Sequence, residues 1–306
     1  MAQGSKTVPG LRGVPETLLW TLYHRAIEAR RSDTVLDDPM GVKLVDSIDY
    51  PFQRHFGRGT LGRAQGQALR ARCFDQEIRK FLSERPESTV VALGEGLETQ
   101  FWRVDNGQVH WLTVDLPETV ELRRRLLPAP PRVQALACSA LDERWMDEID
   151  EIDISRGVLV TAQGLLMYLQ PSEVHRLIAA CAQRFPGGAL LFDGVPRWFA
   201  AGFVRGLGLI GHYPIPPMPW TLDAAERRMI RTGLPNVVDV RELWFPRGRG
   251  LFYGHLLPGM NAIPVVRDRL SALSPLSIMI ARFATGGNTA NTVNTAAGRT
   301  DPVRNP

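Results

Sequence analysis

The stretch that most restricts how this chain can fold is Thr89-Val90-Val91-Ala92-Leu93-Gly94-Glu95-Gly96-Leu97-Glu98-Thr99-Gln100, followed by Val109-His110-Trp111-Leu112-Thr113-Val114-Asp115. A β-branched, apolar run ends in two glycines spaced one apart, and an amphipathic segment with Leu97, Phe101, Trp102 and Val104 comes straight after. This pattern predicts a buried strand, a tight loop and a short helix. The second half predicts another strand, closed by an acid. Such a loop brings bare backbone N–H groups to a ligand, and a carboxylate at the tip of the next parallel strand can accept both hydroxyls of a ribose. The stretch reads as a nucleoside-cofactor site.

The loop also discriminates between cofactors. A dinucleotide fingerprint needs a third glycine for helix packing and a helix N-terminus for the pyrophosphate. Here Thr99 stands at that third position, and Glu95 would repel a diphosphate. S-adenosylmethionine carries no phosphate; its sulfonium and ammonium tolerate a nearby carboxylate. That cofactor is favoured, with a nicotinamide-dependent oxidoreductase retained as the competing enzyme class.

Around this centre, strand and helix patterns alternate. A helix is expected from Pro15 to Arg31 and a second from Gln67 to Leu82; Pro117 opens a third, ended by the prolines at 128, 130 and 131. Further strands are expected at Val133–Cys138, Gly157–Ala162 and Ala189–Phe192, with a helix from Pro171 that carries Val174, Leu177, Ile178 and Cys181 on one face. Five alternations of this kind predict a doubly wound α/β fold with a parallel sheet. The turns at Gly94–Gly96, Asp115, Ser139 and Gln163 then meet beyond its carboxyl edge. Residues 194–235 break the pattern with aromatics and prolines and form a candidate substrate lid. Val237–Phe245 and Leu251–Leu257 are expected to close the sheet as a hairpin.

Composition narrows the class. The 306 residues are 44% hydrophobic, enough for one large domain, and the net charge of +4 is spread among acids rather than gathered in a stripe. Neither nucleic acid nor a membrane is an expected partner. Cys73, Cys138 and Cys181 lack metal-ligand spacing and read as reduced core residues of a cytoplasmic protein. No metal is expected.

Assembled, the chain resembles the leucine carboxyl methyltransferase family, in particular its bacterial branch of tetracenomycin-type polyketide O-methyltransferases. The resemblance covers roughly residues 14–257. It rests on Ala71-Arg72-Cys73-Phe74-Asp75, the loop from Leu93 to Arg103, Val114-Asp115-Leu116-Pro117-Glu118, Ser139-Ala140-Leu141-Asp142 before Trp145, and Gly164-Leu165-Leu166-Met167-Tyr168-Leu169. It implies a mostly parallel, seven-stranded, Rossmann-like methyltransferase sheet with an N-terminal helical cap, and S-adenosyl-L-methionine as cofactor. By the same analogy Arg72 holds the cofactor carboxylate, Gly94 and Gly96 pass under its methionine portion, and Asp115 with Leu116 receives the ribose. Ser139, Ala140 and Leu141 line the adenine.

The implied organisation is a flexible start (1–13), a helical cap (14–85), a cofactor-binding core (86–193), a lid (194–235), a closing hairpin (236–257), a helical extension (258–284) and a disordered tail (285–306). Three positions depart from the family pattern: Glu95 replaces an alanine, Glu98-Thr99-Gln100 an Asp-Thr-Arg, and Gln163 a glutamate that would face the cofactor ammonium. Glu95 is expected to restore the lost charge. The rival reading is a non-catalytic cofactor-binding member of the family.

Methyl transfer from a sulfonium mostly requires alignment and exclusion of water. A carboxylate acceptor needs no base, whereas a phenol benefits from one, for which His175 and His212 are the candidates. Tyr168 is expected near the transferred methyl. Trp198, Tyr213, Met218 and Trp220 would suit a flat, apolar small-molecule acceptor.

Overall fold

The computed structural model describes residues 6–58, 61–204, 215–263 and 274–286. The helices α1 (Thr17–Ala29), α2 (Pro39–Ser47), α3 (Phe52–Phe56) and α4 (Leu61–Glu84) precede the sheet. Then come β1 (Thr89–Leu93), α5 (Gln100–Val104), β2 (His110–Asp115), α6 (Pro117–Leu126), β3 (Val133–Ala137), α7 (Arg144–Asp147), α8 (Glu151–Arg156), β4 (Val158–Ala162), α9 (Pro171–Arg184) and β5 (Ala189–Gly194). The chain closes with α10 (Arg197–Val204), α11 (Ala224–Gly233), β6 (Val237–Leu243), α12 (Leu257–Asn261) and β7 (Ser277–Phe283).

Among the described residues the strands form one seven-stranded sheet in the order β3-β2-β1-β4-β5-β7-β6. The first five strands run parallel, and β7 lies antiparallel to both β5 and β6. The expected α/β architecture is present. Strand β1 is buried at every position because both of its faces are covered, which is why its sequence is a continuous apolar run. One core cluster includes Trp145, Ile178, Phe185 and Phe192, and a second includes Phe74, Ile78, Phe101 and Trp111. A third joins the cap to the sheet domain, with Leu19, Leu22, Tyr23 and Phe56 packed together with Leu97 and Leu122.

The C-terminal expectations need correction. Strand β6 pairs with β7, from Val237↔Phe283 to Leu243↔Ile278, and not with Leu251–Leu257. That stretch is helical: Phe252–Leu256 is a π-helical turn leading into α12. The helical extension expected over 258–284 instead ends in a strand, Ser277–Phe283, and residues 264–273 lie outside the described residues. Both misreadings have one cause. Short apolar runs carry no periodicity that separates helix from strand, so the nearest such run reads as a hairpin partner. Within the segment expected as a flexible start, Thr7 bridges to Ile48 and Leu11 is buried in the cap. The tail beyond residue 286 lies outside the described residues.

No described helix is long and apolar enough to cross a membrane.

Candidate active site

A cavity of about 770 Å³ opens at the carboxyl ends of the parallel strands, where the strand order reverses between β1 and β4. Its wall carries Gly94, Glu95, Gly96, Asp115 and Leu116 from the ends of β1 and β2. Ser139 and Ala140 follow β3, and Gln163 with Gly164 follows β4. Leu141 instead packs against the core cluster around Trp145.

The glycine loop is held by side chains on both sides. Asp115 Oδ2 accepts the Gly96 N–H at 2.7 Å, and its Oδ1 accepts the Leu116 N–H at 2.8 Å. Burial raises the pKa of Asp115 against the pull of these bonds. Gly96 has φ +58°, and a Cβ there would lie 2.9 Å from Leu18 Cβ on α1. Only glycine allows helix α1 to come this close to the loop.

Glu95 is engaged within the protein through Oε2, while its Oε1 is buried without a partner among the described residues. Its carboxylate, pushed up in pKa by burial, is paired with Arg123 Nη2 at 3.0 Å and accepts from Thr113 Oγ1 and Trp111 Nε1. Arg123 also donates to the carbonyls of Gly96 at 2.6 Å and Glu98 at 3.1 Å. The pair braces the loop, so the negative charge of Glu95 is already answered within the protein.

Arg72 is corrected by two residues. Its guanidinium reaches the Val35 carbonyl at 3.4 Å, away from the cavity wall. Arg70, two residues earlier, lies on the cavity wall instead. Residues two apart on a helix point about 200° away from each other, so only one of the two can face the sheet edge. Arg70 is 5% exposed, and its Nε donates to Asp193 Oδ2 at 2.5 Å. Asp193, at the end of β5, also accepts the Gly164 N–H at 2.8 Å. Arg70 Nη2 is buried with no hydrogen-bond partner among the described residues, and it lies 2.7 Å from where a Gly164 Cβ would be.

Gln163 carries a matching acceptor. Its Nε2 donates to Glu98 Oε2 at 3.2 Å; a carboxylate only accepts, which fixes the amide orientation. Gln163 Oε1 is left buried and without a partner among the described residues. An unpartnered donor and an unpartnered acceptor thus flank Gly164 on the cavity wall.

Behind Gln163 lies a buried ionic network that sequence reasoning missed. Arg25 on α1 contacts Asp38 at 3.2 Å and Glu98 at 2.7 Å. Arg103 contacts Asp75 at 2.7 Å, Glu98 at 2.9 Å and Asp38 at 3.5 Å. Gln100 donates to Asp75 at 3.1 Å. Burial works to raise the pKa of Asp38 and Glu98, but Arg25 and Arg103 outweigh it and hold both carboxyls below their ordinary values. A carboxyl with a lowered folded pKa contributes stability that is full above its unfolded value, about 4, and is lost as pH falls through the folded value. Replacing Asp38 by Asn is therefore expected to lower Tm at pH 7 and to flatten its dependence on pH between 5 and 3. Melts of both proteins across that range check this.

Of the expected acceptor residues, Tyr168 and Met218 lie on the cavity wall. Burial raises the Tyr168 pKa, partly offset by a hydrogen bond with the Thr17 side chain. Trp220 is 1% exposed and packs on Phe192, with its Nε1 donating to Glu226 at 2.8 Å, so it belongs to the core under α11 and not to the cavity. Trp198 is 51% exposed and off the wall. Tyr213 and His212 lie outside the described residues. His175 Nε2 sits 2.6 Å from Glu226 Oε1, in the same cluster as Trp220. Tyr253, unforeseen, reaches the wall from the π-helical turn, and its segment is tied to the cap by Arg249, which grips buried Glu28.

Comparison with known proteins agrees with this architecture. The profile of the leucine carboxyl methyltransferase family matches residues 19–182. The chain is 34% identical over 189 residues to the tetracenomycin polyketide synthesis O-methyltransferase TcmP of Streptomyces glaucescens, covering 61% of this chain and 68% of that protein. It is 30% identical over 248 residues to the S-adenosyl-L-methionine-dependent methyltransferase dpfgK of Gibberella zeae, covering 74% and 80%. Among solved structures, a duf574 family protein from Streptomyces avermitilis superposes with a TM-score of 0.53 at 12% identity, covering 86% of this chain and 97% of that one. That likeness is one of fold.

Proposed function

From the premise that the chain belongs to the leucine carboxyl methyltransferase family and is an S-adenosylmethionine-dependent methyltransferase, we propose that it methylates an oxygen of a small, polyketide-like metabolite. The observation that carries the site assignment is the pair of orphaned atoms beside Gly164. Arg70 Nη2 can donate to a carboxylate, and Gln163 Oε1 can accept from an ammonium. The amino-acid end of S-adenosylmethionine presents both groups on one carbon, so the residues present fit it. In this reading Asp115 receives the ribose, Gly94 and Gly96 pass under the methionine chain, and Ser139 and Ala140 border the adenine.

When bound, the cofactor supplies a sulfonium methyl: an oxygen lone pair forms the new C–O bond, the C–S bond breaks, and its electrons remain on sulfur as a neutral thioether. The chain's own residues hold the partners in line and keep water out. A carboxylate acceptor is ionised at neutral pH and needs no base. Tyr168 and Tyr253, whose pKa values are raised by burial, stay protonated and act as hydrogen-bond donors. Met218, Phe199 and Ile215 give the acceptor half an apolar wall, suited to an aromatic ring system. The acceptor class rests on the likeness to TcmP. Of the segment expected as a lid, the described residues Val195, Phe199, Ile215 and Met218 line the cavity.

Calorimetric titration with S-adenosylmethionine, S-adenosylhomocysteine and NADH tests the cofactor site. Saturable binding of the first two, with none of NADH, is expected. Methyl-labelled cofactor incubated with aromatic polyketide acids tests the acceptor: label recovered as an alkali-labile ester supports a carboxylate, and alkali-stable label an ether. NADH binding with no transfer from the labelled cofactor would overturn the reading.

A further inference from the structure

The positive charge of the cofactor's ammonium must be met within a cavity whose carboxylates are mostly committed. Glu95 is matched by Arg123, and Asp193 by Arg70. Asp115 uses both oxygens on backbone N–H groups of the loop. The network behind Gln163 is different. Asp38, Asp75 and Glu98 are held by Arg25 and Arg103, so three carboxylates face two guanidiniums and one formal negative charge is in excess. Of the three, Glu98 is the one joined to the cavity wall, through the Gln163 amide at 3.2 Å, and it lines the cavity itself.

Resting on the cofactor reading above, we propose that Glu98 supplies the negative charge answering the cofactor's ammonium, and that Gln163 delivers it as a polarised neutral acceptor. The amide is a relay: Nε2 is held by the carboxylate, and Oε1 is turned to the ligand. A carboxylate at position 163 would sit against Glu98 and be repelled. An amide there tolerates the charge behind it and aligns with it. Glu98 is thus a positioning residue, tied through Arg25 to α1 and through Arg103 to α4, so that the cap and the cofactor's amino-acid end share one electrostatic unit.

The test compares ligands that differ only at that end. S-adenosylmethionine, S-adenosylhomocysteine and 5′-methylthioadenosine, which lacks the amino acid, are titrated calorimetrically into wild type, Glu98→Gln, Gln163→Met and the exchange variant Glu98→Gln/Gln163→Glu. Both single variants are expected to weaken the first two ligands by about tenfold or more, the scale of a charged hydrogen bond, while 5′-methylthioadenosine stays within about twofold. The exchange variant, with one carboxylate in the pair again, is expected to regain most of the loss. If Glu98→Gln unfolds, Gln163→Met carries the same comparison. Equal weakening of all three ligands would mean that the network only supports the glycine loop, and unchanged binding of the first two would place the counter-charge elsewhere; either overturns the proposal. Wild type that binds none of the three would remove the cofactor reading itself.

Discussion

Arg70→Met is expected to weaken S-adenosylmethionine binding by about 10- to 150-fold, while Arg72→Met leaves it unchanged. The first figure corresponds to loss of a charge-assisted hydrogen bond of about 1.5–3 kcal/mol. Arg70 offers the unpartnered Nη2 to the cavity, whereas Arg72 spends its guanidinium on the Val35 carbonyl. Stability falls as well, because Asp193 is fully buried and Arg70 is its guanidinium partner. Leaving one member of a buried pair unmatched costs on the order of 3–5 kcal/mol. Arg70→Lys keeps a charge near Asp193 but loses the planar fork that serves both partners, so it is expected to recover stability more than affinity. Calorimetry and thermal melts on the four proteins separate the two effects. Equal affinity losses for Arg70→Met and Arg72→Met would contradict the assignment.

Arg25→Met is expected to be the most destabilising change in the cap. Arg25 is 2% exposed and contacts Asp38, Glu98 and the Leu97 carbonyl. Without it, the three buried carboxylates of Asp38, Asp75 and Glu98 share Arg103 alone. The cost is again about 3–5 kcal/mol, which corresponds to a fall in Tm on the order of 10 °C. The same change loosens α1 from the glycine loop, so saturating cofactor is expected to restore part of the lost Tm by mass action. Differential scanning calorimetry with and without S-adenosylhomocysteine reads both. A Tm within about 2 °C of wild type would show that the network is not coupled to folding.

Gln100 and Gln163, the two glutamines at which the sequence departs from the expected pattern, occupy two ends of that network, on Asp75 and Glu98. Their positions explain why neither could be interpreted alone. Gln163 appears in the sequence as the loss of a charge at the ligand. Folded, it is a bridge to a charge sixty-five positions earlier.

Much of the fold was legible because its determinants are local. Strands β1 and β2 declare themselves by apolar runs ending in glycine or acid, α6 by Pro117, and α9 by Pro171 with Glu173, whose carboxylate accepts the Gln170 N–H. The wall positions of Gly94, Gly96, Asp115, Ser139 and Gln163 followed from strand ends alone. By contrast, the large apolar residues described within the 194–235 segment give no sign in the sequence of which face they choose. Met218 turned to the cavity and Trp220 to the core, two positions apart.

The alternation of strand and helix, the nucleotide-type loop and the family are written in residue type and short spacing along the chain. Folding was needed to settle which of Arg70 and Arg72 faces the cavity, that Glu95 pairs with Arg123, that Glu98 stands behind Gln163, and that β7 enters the sheet between β5 and β6. The physical reason is common to all four. A charge finds its partner, and a buried strand its neighbours, by the geometry of elements distant in sequence, and desolvation makes that choice strict without leaving a local mark.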